Sequence, residues 1–407
     1  MKKIGIIGLN ARATAQSAKR AGYDVFLATY FSDADTAGIT KNFFPMQKEK
    51  FSPDLKEYSI NALADFAIEK FKGRIEGVIL TSKIGDSAKA VRAIGKNFKI
   101  IGNNSENVKK AKDWKNIKEV LDKHSINYPK TIIADTNELN KIKASELNDF
   151  KINDFDINFP CVIKAMAPNN GKCPSQKIFS FADIENLILK SKIQGEILIQ
   201  EFIEGIPLSC SVLSNGKNTF AVSVNRQMIG ENFLNADGLK YCGNIVPYEG
   251  KSELIQNIKK FSEFITSDLS SVGSNGIDYV VRKDKIYFME FNPRIQDTIE
   301  NVEKCCGINL VEEHIKACNN SDEKFNFGVE RKKGKFYGKG IIYAEKDVKV
   351  KNLYDLKIDV GDVPNPGSVI KKGGPVCCVY EEGKSNADVS WKMKRTVDYI
   401  KNMNNIE

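Results

Sequence analysis

Between Lys3 and Gly102, short apolar runs alternate with longer stretches of helical periodicity, and this alternation constrains the fold more than any other feature of the chain. Strands are predicted from Lys3 to Ile7, Asp24 to Thr29, Gly77 to Thr81 and Lys99 to Gly102. Helices are predicted from Ala11 to Ala21, from about Ile60 to Lys70, and from Ser87 to Ile94. Successive strands joined through helices must run parallel, so this segment is expected to be an α/β, doubly wound sheet. Ligands of such sheets sit beyond the carboxyl ends of the strands, which points to the loops at 8–12, 29–35 and 81–86. The opening residues, MKKIGIIGLN, carry only a short apolar run from Ile4 to Leu9 and read as a first strand, not a secretion signal.

The first turn narrows the ligand class. A dinucleotide site wants GxGxxG after the first strand, whereas this chain has Gly5-x-x-Gly8 followed by Leu-Asn-Ala-Arg. The glycines that let a backbone approach a pyrophosphate are missing, so a nicotinamide site is not expected. Arg12, beside the N-terminus of the next helix, is a candidate for an anionic substrate group; a bare strand-to-helix turn that binds nothing is the equal alternative.

Composition removes further classes. The chain has 407 residues, enough for several domains, and 42% hydrophobic with 28% charged residues suits a globular protein with a large core. Its 61 Lys+Arg against 52 Asp+Glu leave +9, spread along the chain without a basic, aromatic-interleaved block, so no nucleic-acid partner is expected. No apolar run is long enough to span a membrane. Nine cysteines, two adjacent pairs (Cys305-Cys306, Cys377-Cys378) and no CxxC suit reduced thiols and a cytoplasmic location. Two histidines, His124 and His314, leave no multi-histidine zinc site and little room for a Ser-His or Cys-His nucleophile. Any metal is expected to be a hard cation held by oxygen.

Beyond residue 106 the pattern changes to α+β with antiparallel hairpins. A charged helix from Lys109 to Lys123 precedes strands from Cys161 to Ala165, Lys177 to Phe179, Ile197 to Phe202, Leu208 to Ser214, Thr219 to Arg226, Gly276 to Val281 and Lys285 to Phe291. Helices are expected from Ala182 to Lys192, Leu254 to Leu269 and Ile308 to Asn319, and a charge-rich break at 330–334 leads into a last segment with β-like patterning.

Three segments carry chemistry. In Phe159-Pro-Cys-Val-Ile-Lys164 a lysine closes a buried strand, costly unless an anion meets it, and the flap from Ala167 to Pro174 offers free backbone N–H groups. A phosphate grip and an ordinary hairpin with a surface lysine are both compatible with it. In Ile197-Leu-Ile-Gln-Glu-Phe-Ile-Glu-Gly205 an apolar strand ends in two acids, suited to reading a base and a ribose, or simply solvated. The third, from Gly276 to Arg294, is the most specific. Asp278 and Glu290 lie twelve residues apart across a charged turn, which sets them side by side on a hairpin; Glu290 and Asn292 share one strand face. Two carboxylates and an amide oxygen suit one or two Mg²⁺, and Arg294 suits a phosphate. Like charges buried together are expensive for a purely structural purpose.

In this order and spacing the three segments resemble the ATP-grasp superfamily of ligases, over roughly residues 1–325, and most closely its predicted carboxylate ligases related to biotin carboxylase. The resemblance implies a Rossmann-like pre-ATP-grasp domain at 1–106 and an ATP-grasp domain at 107–325. The latter would comprise a lid subdomain at about 130–205 and a metal and catalytic subdomain at about 206–325, with a small β-rich domain at 326–407. It implies ATP with Mg²⁺, or Mn²⁺ in its place. It further implies that Lys164 grips phosphates beneath a cover containing Asn170, Gly171 and Lys172, and that Glu201, Phe202 and Ile203 frame the adenine. Asp278, Glu290 and Asn292 would bind metal, and Arg294 would act with Lys164 on the transferring phosphoryl group.

The chain departs from the family pattern twice. Trp114 stands where a lysine is usual, with Lys115 as the expected substitute beside Lys112, and the ribose acid after Gly205 is missing, with Glu204 as its expected replacement. The resemblance implies an acyl-phosphate intermediate, small-molecule carboxylate and amine substrates, and a possible homodimer. Arg226, Gln296 and Arg12 are the expected substrate-binding residues. Arg294-Ile-Gln296 continues as Asp297-Thr-Ile-Glu300, without the bicarbonate-serving glutamate of biotin carboxylases, which favours amide formation over a bicarbonate-using carboxylase or a non-catalytic ATP-binding protein.

Overall fold

The computed structural model describes residues 2–47, 58–136, 157–165, 176–180, 183, 184, 186, 187, 195–319 and 334–402. Lys3–Gly8 (β1) leads through Arg12–Arg20 (α1) to Asp24–Thr29 (β2), Ala34–Ala37 (α2) and Phe43–Pro45 (β3). Ile60–Phe71 (α3), Gly77–Leu80 (β4) and Ala88–Gly95 (α4) follow. The four strands run parallel in the order β3-β2-β1-β4, as the alternation requires. The strand expected from Lys99 to Gly102 is reduced to one bridge between Ile100 and Val78. Gly102, at φ +135°, turns the chain away from the sheet edge there, a conformation open to a residue without Cβ.

The single helix expected from Lys109 to Lys123 is two, Ser105–Lys112 (α5) and Trp114–Lys123 (α6). Asp113 takes extended dihedrals between them, and its carboxylate accepts from the Lys115 backbone N–H, capping α6. An aspartate that satisfies an orphan helix donor in this way competes with helix continuation.

Thr131–Asp135 (β5), Cys161–Ala165 (β6), Gln176–Ile178 (β7) and Glu196–Glu201 (β8) form an antiparallel sheet in the order β5-β8-β6-β7. The chain then builds Ile206–Asn215 (β9), Thr219–Ile229 (β10), Tyr241–Val246 (β11), Ser252–Asp268 (α7), Val272–Arg282 (β12) and Lys285–Asn292 (β13). Two helices, Ile299–Cys306 (α8) and Leu310–Asn319 (α9), precede Phe336–Tyr343 (β14), Val348–Lys349 (β15), Val360–Gly361 (β16), Val369–Ile370 (β17), Pro375–Gly383 (β18) and Asn386–Asn402 (α10). Eight of these strands make one antiparallel sheet, β13-β12-β9-β10-β11-β14-β18-β16, so β14, β18 and β16 continue the sheet that begins at β13. At the β11–β14 seam Gly243 has φ +141°, and a Cβ there would stand 2.0 Å from the Lys339 carbonyl oxygen. Only glycine lets those two backbones approach.

β17 pairs with β15 in a two-stranded ribbon. The N-terminal sheet and the large sheet share one core: Ile4, Ile6, Ala15 and Ala18 pack with Ile299, Val302, Leu310 and Val311. That apolar seam aligns the carboxyl ends of β1, β2 and β4 with one face of the large sheet, and the cleft between them is the site.

Candidate active site

A cavity of about 1110 Å³ lies at this junction. The loops expected to form a crevice do line it, through Leu9 and Asn10, Phe31 to Asp33, and Ser82 and Lys83. Opposite them stand the four-stranded sheet, contributing Val162, Lys164 and Gln200, and the β12–β13 hairpin.

The hairpin register pairs Asp278 with Glu290 and Gly276 with Asn292. Alternation then turns Asp278, Glu290 and Asn292 toward the cavity together. Asn292 Nδ2 donates to Asp278 Oδ2 at 3.0 Å and Gln227 Nε2 donates to Asp278 Oδ1 at 3.0 Å. Lys112 Nζ donates to Glu290 Oε1 at 2.8 Å and to the Phe291 carbonyl at 3.1 Å. Lys164 Nζ reaches the Met289 carbonyl at 3.2 Å. Arg294 Nε donates to Asp86 Oδ2 at 2.7 Å, and Lys112 lies 3.5 Å from the other oxygen of Asp86.

Electrostatics separate these acids. Burial, reinforced by the neighbouring Glu290 charge, pushes the Asp278 carboxyl up to about 7, and Arg294 and Lys112 only partly offset this. Burial also opposes ionisation of Glu290 and Asp86, but Lys112 with Lys164 holds Glu290 below its ordinary value, and Arg294 with Lys112 does the same for Asp86. Burial lowers Lys164 despite Glu290 and Asp278 nearby. The site thus holds one carboxyl short of positive charge and one ammonium short of negative charge. A cation beside Asp278 and an anion beside Lys164 would relieve both.

Of the expected residues, Lys164, Glu201, Phe202, Ile203, Asp278, Glu290, Asn292, Arg294 and Gln296 line the cavity. Asn170, Gly171 and Lys172 lie outside the described residues. Four expectations are corrected. Lys115 is exposed on α6; Lys112 in the preceding helix reaches the acids instead, because the break at Asp113 turns the two lysines apart. Glu204 is exposed beyond the strand end and does not line the cavity. Arg226 alternates to the opposite face of β10, and Gln227 takes the inward position.

Arg12 is 3% exposed and lies beneath the cavity, not in its wall. Its guanidinium is taken by Asp362 at 2.7 Å, Asp35 at 3.2 Å and Glu300 at 3.0 Å, so it has no donor to spare for a substrate.

Asp86 is not among the residues expected from the sequence, and Lys112 is named there only as the neighbour of Lys115. The 81–86 loop is expected at the crevice, and a carboxylate at its end is the signal in the sequence for Asp86.

Comparisons with known proteins bear on this geometry. A family model described as an ATP-grasp domain matches residues 111–298, which include Lys164 and the whole β12–β13 hairpin. An uncharacterised protein of Methanocaldococcus jannaschii is 25% identical over 97% of this chain and 92% of its own length. Tyramine–L-glutamate ligase of the same organism is 36% identical over 33% of this chain and 40% of its own. Among solved structures, an L-amino acid ligase from Bacillus licheniformis superposes with a TM-score of 0.69 at 17% identity, covering 98% of this chain and 97% of that one, which is a likeness of fold.

Proposed function

Because residues 111–298 form an ATP-grasp domain, we propose that this chain is an ATP- and Mg²⁺-dependent ligase that activates a small-molecule carboxylate as an acyl phosphate and couples it to an amine. The observation that carries the reading is the meeting of Asp278, Glu290 and Asn292 with Lys164 and Arg294 on the wall of one cavity.

The donor set fits a hard cation. Asp278 and Glu290 supply carboxylate oxygens, and Asn292, whose amide nitrogen donates to Asp278, keeps its amide oxygen for a metal. When bound, Mg²⁺ would neutralise charge on the phosphate oxygens. Lys164 would hold those oxygens, and an anion there would offset the burial that lowers its pKa. Glu201, Phe202 and Ile203 would frame the base at the junction of the two sheets. Arg294, steadied by Asp86, would face the charge that develops on the transferring group.

A substrate carboxylate oxygen attacks the γ-phosphorus as the bond to the ADP oxygen breaks. The amine lone pair then attacks the acyl carbon, phosphate leaves, and the amine loses a proton. Positioning and charge neutralisation suffice, and no nucleophilic side chain is required, which suits a chain with two histidines.

Thermal stability with and without Mg-ATP, with NADH as control, tests the nucleotide end. A Mg²⁺-dependent rise that Glu290→Ala abolishes is expected, followed by ADP release that requires both a carboxylate and an amine. ADP release with bicarbonate and no amine would replace amide formation by carboxylation. No response to Mg-ATP would overturn the reading.

A further inference from the structure

The cavity extends past Arg294 into a second end whose charges do not balance. Beneath it, five carboxylates (Asp33, Asp35, Asp297, Glu300 and Asp362) surround two cations, Arg12 and Lys339. Lys339, 1% exposed in the middle of β14, lies 2.8 Å from Asp297, 3.2 Å from Glu300 and 3.8 Å from Asp362. Arg12 takes Asp35, Glu300 and Asp362. Two cations cannot neutralise five carboxylates, and three of the five line the cavity: Asp297 and Asp362, which share Lys339 and Arg12, and Asp33, which has no cation of its own.

Asp33 is the informative member. It sits just beyond β2, in one of the loops expected to meet a ligand, and its side chain caps neither α2 nor any other helix. Its backbone carbonyl accepts from Thr36 and Ala37, but among the described residues its carboxylate takes part in no hydrogen bond or ion pair, and it lines the cavity half-buried. Burial and the charges of Asp362 and Asp35 raise its pKa, and Arg12 does not compensate. A carboxylate without a partner, lining a cavity beside two like charges, is a costly arrangement unless a cation completes it. Nearby, Gln296 Oε1 is also buried without a hydrogen bond and lines the same cavity.

We propose that Asp33, Asp297 and Asp362 form a recognition pole for an organic ammonium group, so that the substrate of this ligase is a cationic amine. The proposal rests on the ligase reading above and names its substrate class. An organic cation suits the place better than a bare ion. Among the described residues no group of three His, Cys, Asp or Glu converges as metal ligands. The walls beside the acids include Phe31 and Tyr241, aromatic surface for a hydrocarbon chain, while Lys240 Nζ already stands 4.3 Å over the Tyr343 ring.

Two of the three lysines at this end have partners away from the acids. Lys240 Nζ donates to the Gly373 carbonyl at 3.1 Å, Lys371 pairs with Asp347 at 2.6 Å, and Lys372 is exposed at the rim.

Arg294 and Asp297 are three residues apart, which keeps their Cα atoms within about 11 Å of one another. The pole therefore lies within one small molecule's length of the phosphoryl-transfer centre. An amine must be uncharged to attack an acyl phosphate, so the ammonium held at the pole is a second, non-reacting one. The class this selects is a diamine or an amino acid whose spare ammonium anchors it while another group reacts.

Calorimetric titration of the full chain, with and without Mg-ADP, tests the pole using 1,4-diaminobutane and L-lysine as cationic probes. Butane-1,4-diol and succinate serve as neutral and anionic counterparts of the diamine. At least one ammonium probe is expected to bind, at least tenfold more weakly to Asp33→Asn, while diol and succinate do not bind. Asp297→Asn, at a more exposed carboxylate, is expected to weaken the same probe and supplies the answer if Asp33→Asn fails to fold. Absence of binding by both ammonium probes, equal binding of the diol or succinate, or unchanged affinity in the variants would overturn the proposal. A wild type that binds diaminobutane without responding to Mg-ATP would instead fail the ligase reading and keep the pole.

Discussion

Asp86, at the end of the loop after β4, accepts a hydrogen bond from Arg294 Nε at 2.7 Å, joining the N-terminal sheet to the end of the β12–β13 hairpin. The same carboxylate lies 3.5 Å from Lys112, which itself holds Glu290. One side chain from outside the matched domain thereby orients the cations of the candidate centre, and Gly85 beside it packs against Arg294 Cβ.

Asp86→Asn should therefore damage chemistry more than nucleotide binding. Turnover, read as ADP release, is expected to fall about 100-fold through misplacement of Arg294, with the Mg-ATP thermal shift close to wild type. Equal turnover in the two proteins would remove Asp86 from the positioning of Arg294.

Lys112 and Lys115 should behave differently although they are three residues apart. Lys112→Ala leaves Glu290 and Asp86 with less positive charge and is expected to alter the Mg²⁺ dependence of the ATP response. Lys115→Ala, at an exposed position, is expected to leave that response unchanged. The reverse pattern would return Lys115 to the site.

Arg12→Ala is expected to destabilise the fold, because it strands Asp35, Glu300 and Asp362 around an empty place. Removing one partner of a buried ion cluster costs about 3–5 kcal/mol, measurable as a lower urea midpoint. A variant of normal stability with weakened anion binding would instead restore the ligand role expected from the sequence.

His314 makes stability depend on pH. Its Nδ1 accepts from the Ser274 backbone N–H at 2.7 Å and its Nε2 faces the Ile101 carbonyl at 2.9 Å, so the neutral Nε2–H tautomer satisfies both. Burial lowers its pKa from 6.5 to about 4. A histidine depressed in the folded state is protonated first in the unfolded chain, so its contribution is complete above pH 6.5. It declines as the pH falls toward 4 and is level below that. The full loss is on the order of 3 kcal/mol. Urea midpoints of wild type and His314→Gln between pH 7 and 4 should converge toward acid; parallel curves would contradict this.

Gly276→Ala should act on the substrate side. A Cβ there would lie 1.4 Å from Gln296 Nε2, so the amide must swing out of its present place. The folded protein and its Mg-ATP response are expected to survive, with KM for the non-nucleotide substrate raised. An unaltered KM would show that the Gln296 amide does not contact substrate.

Much of the site was legible because its geometry is local. Asp278, Glu290 and Asn292 are placed by strand periodicity and a short turn, and the hairpin has the register that their spacing demands. Lys164 and the segment from Glu201 to Ile203 likewise close apolar strands whose run is visible in the residues themselves. Arg226 shows the limit of this approach. Alternation says that Arg226 and Gln227 face opposite ways, but which one faces inward depends on the pairing with β9 and β11 and on a bulge near Ala221. Arg12 shows another limit, since the acids that capture it stand up to 350 residues away.

By itself the sequence determined the parallel N-terminal sheet and the β12–β13 hairpin with its paired acids, because each follows from residue periods of two or 3.6 and from short-range spacing. Only the tertiary structure decided that Asp86 and Lys112 join the centre, that Arg12 is buried in an ion cluster, and that Asp33, Asp297 and Asp362 share one end of the cavity. Those placements arise from the apolar seam between the two sheets and from strand pairings across the chain, which bring together groups that no local pattern connects.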